Sequence, residues 1–432
     1  MLRARSRLSK YNERSQDSRS IFWCKSMATV PEETRVKAYN WCRDYLGGTW
    51  RRIKYDDFQI RDLRGLSPQI APRHFVCALP PWVACANISE PRQALLHLYR
   101  HPIITGTPPS THKGRKNEPT EVLLRVFGEI FYESDAPLLD TIIFSLLSER
   151  QQGPKLYGVF QEGRLEQYIP SRCLTTAELA DPKFTVEIAE KLAKFHQLEL
   201  PLCKVPRWLN QVLDKWTNLT LRMELDTPSD QRVLEEIRSH DLGKEVTFIK
   251  ELIANSKSPV VFSHNDCQEG NILLAKGSPE IKDNSLVLID YEYASYNYRA
   301  SDFANHFCEW TIDYTKESAP YFNLVPEDHP TEAQQLRFIR AYLEEYNSTK
   351  EQREGEGPGA GGEGVCNRMS TEAEEKLILR EIARFTPVIH LIWVMWSCVQ
   401  AKISHTAFGY MEYGLARLKE YFRTKAALPD DL

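Results

Sequence analysis

His264, Asp266 and Asn271 lie within the run FSHNDCQEGNILL at 262–274, and Asp290 ends the strand-forming part of LVLIDYEYA at 286–294. An acid, an Asn five residues later, and a second acid at the end of the next strand is a pattern for phosphoryl transfer. Asp266 would accept, or position, the proton of an attacking hydroxyl. Asn271 and Asp290 would hold Mg²⁺. A short loop can point the base at the acceptor and, one turn later, point an amide oxygen back at the metal. The following strand then delivers a second carboxylate to the same ion. Mg²⁺ prefers such hard oxygen ligands and leaves its remaining positions to phosphate and water. His264 is read as packing beneath this loop.

Three longer segments carry a resemblance. HNDCQEGNILL, IDYEYASYNYRASDFANHFCEW at 289–310 and GRLEQYIPSR at 163–172 resemble the choline/ethanolamine kinase family, and the similarity runs from about Arg35 to Phe422. The resemblance implies an α+β fold of the bilobal protein-kinase-like type, with a small strand-rich N-lobe and a larger, mainly helical C-lobe. It implies ATP and Mg²⁺ as cofactors and transfer of the γ-phosphoryl group to the hydroxyl of choline, with ethanolamine as the alternative acceptor. Gln268 falls near the nucleotide phosphates. Arg125 stands where kinases carry a strand lysine, and a guanidinium can pair with two phosphate oxygens. Asp140 would be its carboxylate partner, where the family more often has Glu. Gln167 and Ile169, at the hinge, would meet the adenine. Asp302 would organise the catalytic loop.

The acceptor site follows from chemistry as well as resemblance. A trimethylammonium group has no N–H donor and spreads its charge, so aromatic faces and a nearby carboxylate hold it best. Trp393 and Trp396 lie three apart and share one face of a helix. Tyr293, Tyr314 and Tyr413 match family cage positions, and Glu309 supplies charge. His306, Cys308 and Cys267 fit no zinc spacing.

The chain departs from the family at two places. The phosphate loop of the family reads Arg-Gly-Gly-Leu-Ser-Asn; here Arg64, Gly65, Leu66 and Ser67 are followed by Pro68 and Gln69. One glycine is missing, and proline removes a backbone donor where donors are wanted. Downstream, EPRQALLHLYRHPI at 90–103 repeats the pattern of EPTEVLLRVFGEI at 118–130, with His97 where the second copy has Arg125. Residues 83–116 are therefore read as an insertion or duplication, and the native strand is placed in the second copy. The altered loop keeps open a third reading, a nucleotide-binding-impaired partner of an active paralogue.

These residues need elements to hold them. A helix is expected from Pro31 through Tyr45 to the stop at Gly47-Gly48, then a strand over 121–130. A helix over 138–150 would bury Leu139, Ile142, Ile143, Leu146 and Leu147. A hairpin over 155–170 would lead to the hinge. Residues 1–32 read as a disordered tail, 33–170 as the N-lobe and 171–432 as the C-lobe. The C-lobe would carry helices over 183–199 and 372–424. The Gly- and Glu-rich stretch 353–364 reads as a flexible linker. A net charge of −4 gives no footprint for nucleic acid. Ten scattered cysteines, with no CxxC pair, suit reduced thiols and a cytoplasmic setting. The apolar run 385–403 is interrupted by Pro387 and His390 and reads as a buried helix rather than a transmembrane one. By resemblance a homodimer, or a heterodimer with a paralogue, is expected.

Overall fold

In the computed structural model, residues 30–62, 73–78, 118–127, 136–277, 285–355, 371–404 and 406–429 are described. The altered phosphate loop with Arg64, Gly65, Leu66 and Ser67, the repeated segment 83–116, the tail up to residue 29 and residues 356–364 of the linker lie outside them. The chain clusters into a small strand-rich unit and a larger helical one.

The small unit begins with helix α1 (Glu32–Leu46). Pro31 fixes φ just ahead of the first turn, and Glu32 and Glu33 sit at its positive end. Gly47 and Gly48 end it with φ of 68° and 50°. The five strands are β1 (Gln59–Asp62), β2 (Arg73–Ala78), β3 (Glu121–Val126), β4 (Leu156–Phe160) and β5 (Gly163–Gln167), ordered β1-β2-β3-β5-β4. Strand β3 lies in the second copy of the repeat, as expected, and its leading Glu-Pro is tied to the end of α1. Glu118 accepts the Thr49 amide at 2.5 Å and the Thr49 hydroxyl at 2.8 Å, and Trp50 Nε1 donates to the Pro119 carbonyl at 2.8 Å. A Cβ on Gly48 would come within 2.3 Å of Glu118 Oε1, so a side chain there would displace the carboxylate from Thr49. Alternation splits the sheet. Val122, Leu124, Leu165 and Cys77 join Ala38, Cys42, Trp50 and Phe58 in one core. Arg125 pairs in register with Arg164, and Leu123 with Glu166, on the other face.

The larger unit contains α2 (Ala136–Glu149), which packs with this unit although the sequence reading set it inside the 33–170 lobe. Its buried arc is also turned from expectation. Leu139 and Ile142 are 46% and 40% exposed, whereas Asp140, Ile143, Phe144 and Leu147 are buried. A polar residue on the inward arc hides that arc from a reading based on apolar spacing. Strands β6 (Ser171–Cys173), β7 (Val260–Ser263), β8 (Ile272–Ala275), β9 (Leu286–Leu288) and β10 (Ser295–Tyr298) form a β6-β8-β9 sheet and an antiparallel β7–β10 pair. Around them lie α3 (Thr176–Leu179), α4 (Pro182–His196), α5 (Trp208–Arg222), α6 (Pro228–Arg238), α7 (Leu242–Ala254), α8 (Arg299–Glu309), α9 (Glu332–Gly355), α10 (Glu372–Ile403) and α11 (Tyr410–Ala426). Helix α4 starts with Asp181 capping the Lys183 amide and Pro182 in the first turn. Helix α9 runs through 353–355, the first residues of the stretch read as linker.

Among the described residues α10 is the one helix long and apolar enough to cross a membrane, and 94% of its apolar window is buried in the protein. It carries Pro387 in its interior. An interior proline costs roughly 3 kcal/mol. Each fully buried large apolar side chain returns roughly 1.5–3 kcal/mol. Ile389, Leu391, Ile392, Trp393, Val394 and Met395 are all buried, so packing outweighs the break.

Candidate active site

Strand β7 delivers the chain to the loop that begins at His264. Asp302, fully buried on α8, accepts the backbone N–H groups of His264 and Asn265, each at 2.8 Å. Its Oδ2 also lies 2.9 Å from His196 Nε2, and His196 Nδ1 lies 2.9 Å from the Tyr342 hydroxyl. Burial pushes the Asp302 carboxyl up, but the bonds from His196 and the pull of both nearby imidazoles carry it below the ordinary carboxylate range. Asn265 takes the left-handed conformation, φ 66°, which Asn tolerates. Its amide donates to the Tyr293 carbonyl and to Ser295 Oγ and accepts from Asn297. The backbone from 264 to 266 is thus held on both sides. Asp302 organises this loop, the role its resemblance implied. His264 packs beneath it, 5.7 Å from the rings of Phe195 and Tyr291.

Asp266, Gln268 and Asn271 are buried on the loop itself. Asn271 Nδ2 donates to both the backbone oxygen and Oδ2 of Asp266, each at 2.9 Å. Burial, then Glu309 and Asp290, push the Asp266 carboxyl well above its usual range. Asp290 follows β9, half-buried, with φ 64°. Ile289 fixes it against the loop: its amide donates to the Asn271 carbonyl at 3.0 Å, and its carbonyl lies 3.0 Å from His264 Nε2. With the Asn271 amide nitrogen spent on Asp266, its oxygen is the end left for a cation. That oxygen and one carboxylate are a donor set of the kind Mg²⁺ uses alongside phosphate, so the residues fit the ion. Among the described residues no three His, Cys, Asp or Glu side chains gather closely enough to hold a metal by themselves.

The residues read as an acceptor site form one connected aromatic cluster. Tyr293 and Trp393 meet edge to face at 6.0 Å, Trp393 and Trp396 at 5.3 Å, and Trp396 and Tyr413 at 6.3 Å; Tyr413 and Tyr314 are also 6.3 Å apart. Both indole N–H groups are used, Trp393 bonding Asn305 Oδ1 at 2.8 Å and Trp396 the Tyr293 hydroxyl at 3.0 Å. Glu309 is buried beside them and accepts from the Tyr314 hydroxyl at 2.9 Å.

Sequence reasoning missed Arg417. It is fully buried on α11, pairs with Glu309, and donates twice to the Tyr413 hydroxyl. The available signal was its place one helical turn after Tyr413. His196 was also missed, because nothing local links it to a loop some seventy residues on. His306 and Cys267 meet through a ring-to-backbone bond, His306 Nδ1 to the Cys267 carbonyl at 2.9 Å; Cys308 Sγ lies 3.6 Å from His390.

In the small unit Arg125 is buried on β3 beside Arg164, which pairs with Glu166 at 2.6 Å; Gln167 is half-buried at the end of β5. In the larger unit Ile169 and Asp140 are buried.

A family model, choline/ethanolamine kinase, matches residues 103–422. Mouse choline kinase alpha is 41% identical over 91% of this chain and 82% of its own length. The chain belongs to the choline/ethanolamine kinase family. Rat choline/ethanolamine kinase is 39% identical, covering 93% of this chain and 89% of that protein. Among solved structures, choline kinase from Cryptosporidium parvum matches with a TM-score of 0.65 and 22% identity, covering 92% of this chain and 96% of that one. Plasmodium vivax ethanolamine kinase matches with a TM-score of 0.63 and 18% identity, covering 96% and 97%. These two likenesses give the fold: protein-kinase-like, with a strand-rich N-lobe and a mainly helical C-lobe.

Proposed function

We propose that this kinase transfers the γ-phosphoryl group of ATP to the hydroxyl of choline, giving phosphocholine and ADP. The observation that carries the reading is the intact loop: Asp266 held by Asn271, with Asp290 locked to the same loop through Ile289. Asp266 takes the proton of the choline hydroxyl as its oxygen attacks the γ-phosphorus and the bond to ADP breaks. Asn271 and Asp290 would hold Mg²⁺, which when bound neutralises charge on the phosphate oxygens. Gln268, Arg125 and the segment Arg64–Ser67 are proposed to meet the phosphates, and Gln167 and Ile169 the adenine. Tyr293, Tyr314, Trp393, Trp396 and Tyr413 would surround the trimethylammonium group, with Glu309 nearby.

Ethanolamine is the second reading, favoured by relatives named for both alcohols. Incubation of the purified chain with Mg-ATP and each alcohol in turn, followed by ³¹P NMR, tests both. Phosphocholine is the expected product. A phosphomonoester from ethanolamine alone would move the assignment to that alcohol, and none from either would overturn it.

A further inference from the structure

Strands β3 and β5 pair antiparallel, with Arg125 opposite Arg164 and Leu123 opposite Glu166. Residues opposite one another share a face of the sheet, and so do residues two apart on one strand. Arg125, Arg164 and Glu166 therefore stand together, on the face turned from the core of Val122, Leu124 and Leu165. All three are buried. A carboxylate in such a place needs a cation beside it. Arg164 and Arg125 are both within reach. Arg164 is two residues away on the same strand, and its Nε donates to Glu166 Oε1 at 2.6 Å. Arg125 is the diagonal neighbour across the strand pair. That diagonal is roughly 7–8 Å, a span that a long side chain covers.

We propose that Arg164 is a positioning residue for the nucleotide: by holding Glu166 it keeps that carboxylate off Arg125, and so leaves the Arg125 guanidinium for phosphate oxygens. The inference rests on the phosphate-binding role proposed for Arg125. Phosphate and carboxylate offer a guanidinium the same thing, a pair of anionic oxygens for its planar fork of N–H donors. They compete for it. A carboxylate fixed on the neighbouring strand has the advantage over a ligand that must first give up its freedom of motion. The pairing also acts in the other direction. Like charges directly opposite on paired strands repel. Glu166 offsets the charge of Arg164, so Arg125 is not pushed aside.

Calorimetric titration of Mg-ATP in the absence of choline reads this competition. Arg164→Met replaces the charged arm with an uncharged one and frees Glu166 to take Arg125. The Kd for Mg-ATP should rise about tenfold or more, the worth of one hydrogen bond to a charged group. Adding Glu166→Leu to Arg164→Met removes the competitor as well. Binding should then return to within about threefold of the natural chain, since a buried pair replaced by apolar side chains leaves no stranded charge. A role confined to holding the sheet together would leave the double variant as weak as the single one, because both lack the same pair. Melting curves accompany each titration. Should Arg164→Met fail to fold, Arg164→Gln, which keeps a hydrogen-bond donor near Glu166 but gives up the charge, takes its place with the same order expected. A folded Arg164 variant that binds Mg-ATP as tightly as the natural chain, or a double variant as weak as the single, overturns the inference. A natural chain that binds no Mg-ATP overturns the phosphate site itself.

Discussion

That Asp266 and Asn271 would meet, with Asp290 beside the same loop, was legible because they lie in neighbouring segments of the sequence. The loop is short, so five-residue spacing translates directly into the 2.9 Å bond between Asn271 and Asp266. Arg417 was not legible, since its partner Glu309 is 108 positions away and the two are brought together by the packing of both α8 and α11 against α10. The aromatic cluster falls between these cases. Two tryptophans three apart announce a shared helix face, but not whether it meets substrate or core. Trp396→Ala should raise the KM for choline more than that for ethanolamine, by the equivalent of roughly 0.5–2 kcal/mol for one aromatic face. Steady-state kinetics with both alcohols checks this, and equal losses would mark Trp396 as packing alone.

Helix α8 works as an element because Asp302, His306 and Glu309 recur at helical spacing and are all buried. Asp302 holds the loop backbone, His306 meets the Cys267 carbonyl, and Glu309 meets Arg417. Replacing Asp302 with Ala strands two backbone N–H groups and His196 in the interior. A loss of about 3–5 kcal/mol is expected, the cost of removing one member of a buried pair. Chemical denaturation measures it, and a change under about 1 kcal/mol, the size of a surface pair, would contradict the role. His306 adds a pH dependence. Its Nδ1 donates to Cys267, so Nε2 is the acceptor for Trp310 Nε1 at 3.2 Å, and protonation there would break that bond. Burial lowers its pKa to about 4. The unfolded chain, with an ordinary histidine near 6.5, binds the proton first. This contribution to stability is therefore fully present above about pH 6.5 and is lost as pH falls toward about 4. His264 and His390, also buried and lowered, act in the same direction. The melting temperature should drop between neutral pH and pH about 5, and His306→Gln should flatten the slope. The bounds of α1 were readable from proline, acids and paired glycines, and α4 from its amphipathic spacing, although it ends at His196 rather than 199. The inward arc of α2 was not, because the buried Asp140 breaks its apolar pattern.

At the scale of the whole molecule, the fold was legible through long motifs shared with a family, while composition only bounded it. The departures from the family bear on nucleotide binding. Restoring 64–69 to the family pattern should tighten Mg-ATP binding in a calorimetric titration, whereas deleting 83–116 alone should change little. Added loop length costs only roughly 0.6 kcal/mol per doubling, but a missing glycine and an added proline remove donors at the phosphates. If the natural chain already binds Mg-ATP as tightly as the restored one, the altered loop is functionally sound and the impaired-partner reading loses its support. The central claim is that the loop around Asp266 transfers phosphate to choline. Its most direct test is the single-turnover rate of phosphocholine formation from Mg-ATP, measured for the natural chain and for Asp266→Asn, with melting curves for both. The account predicts rapid formation by the natural chain and, with an unchanged melt, a loss of several orders of magnitude in the variant. Near-normal phosphocholine formation by Asp266→Asn would contradict it.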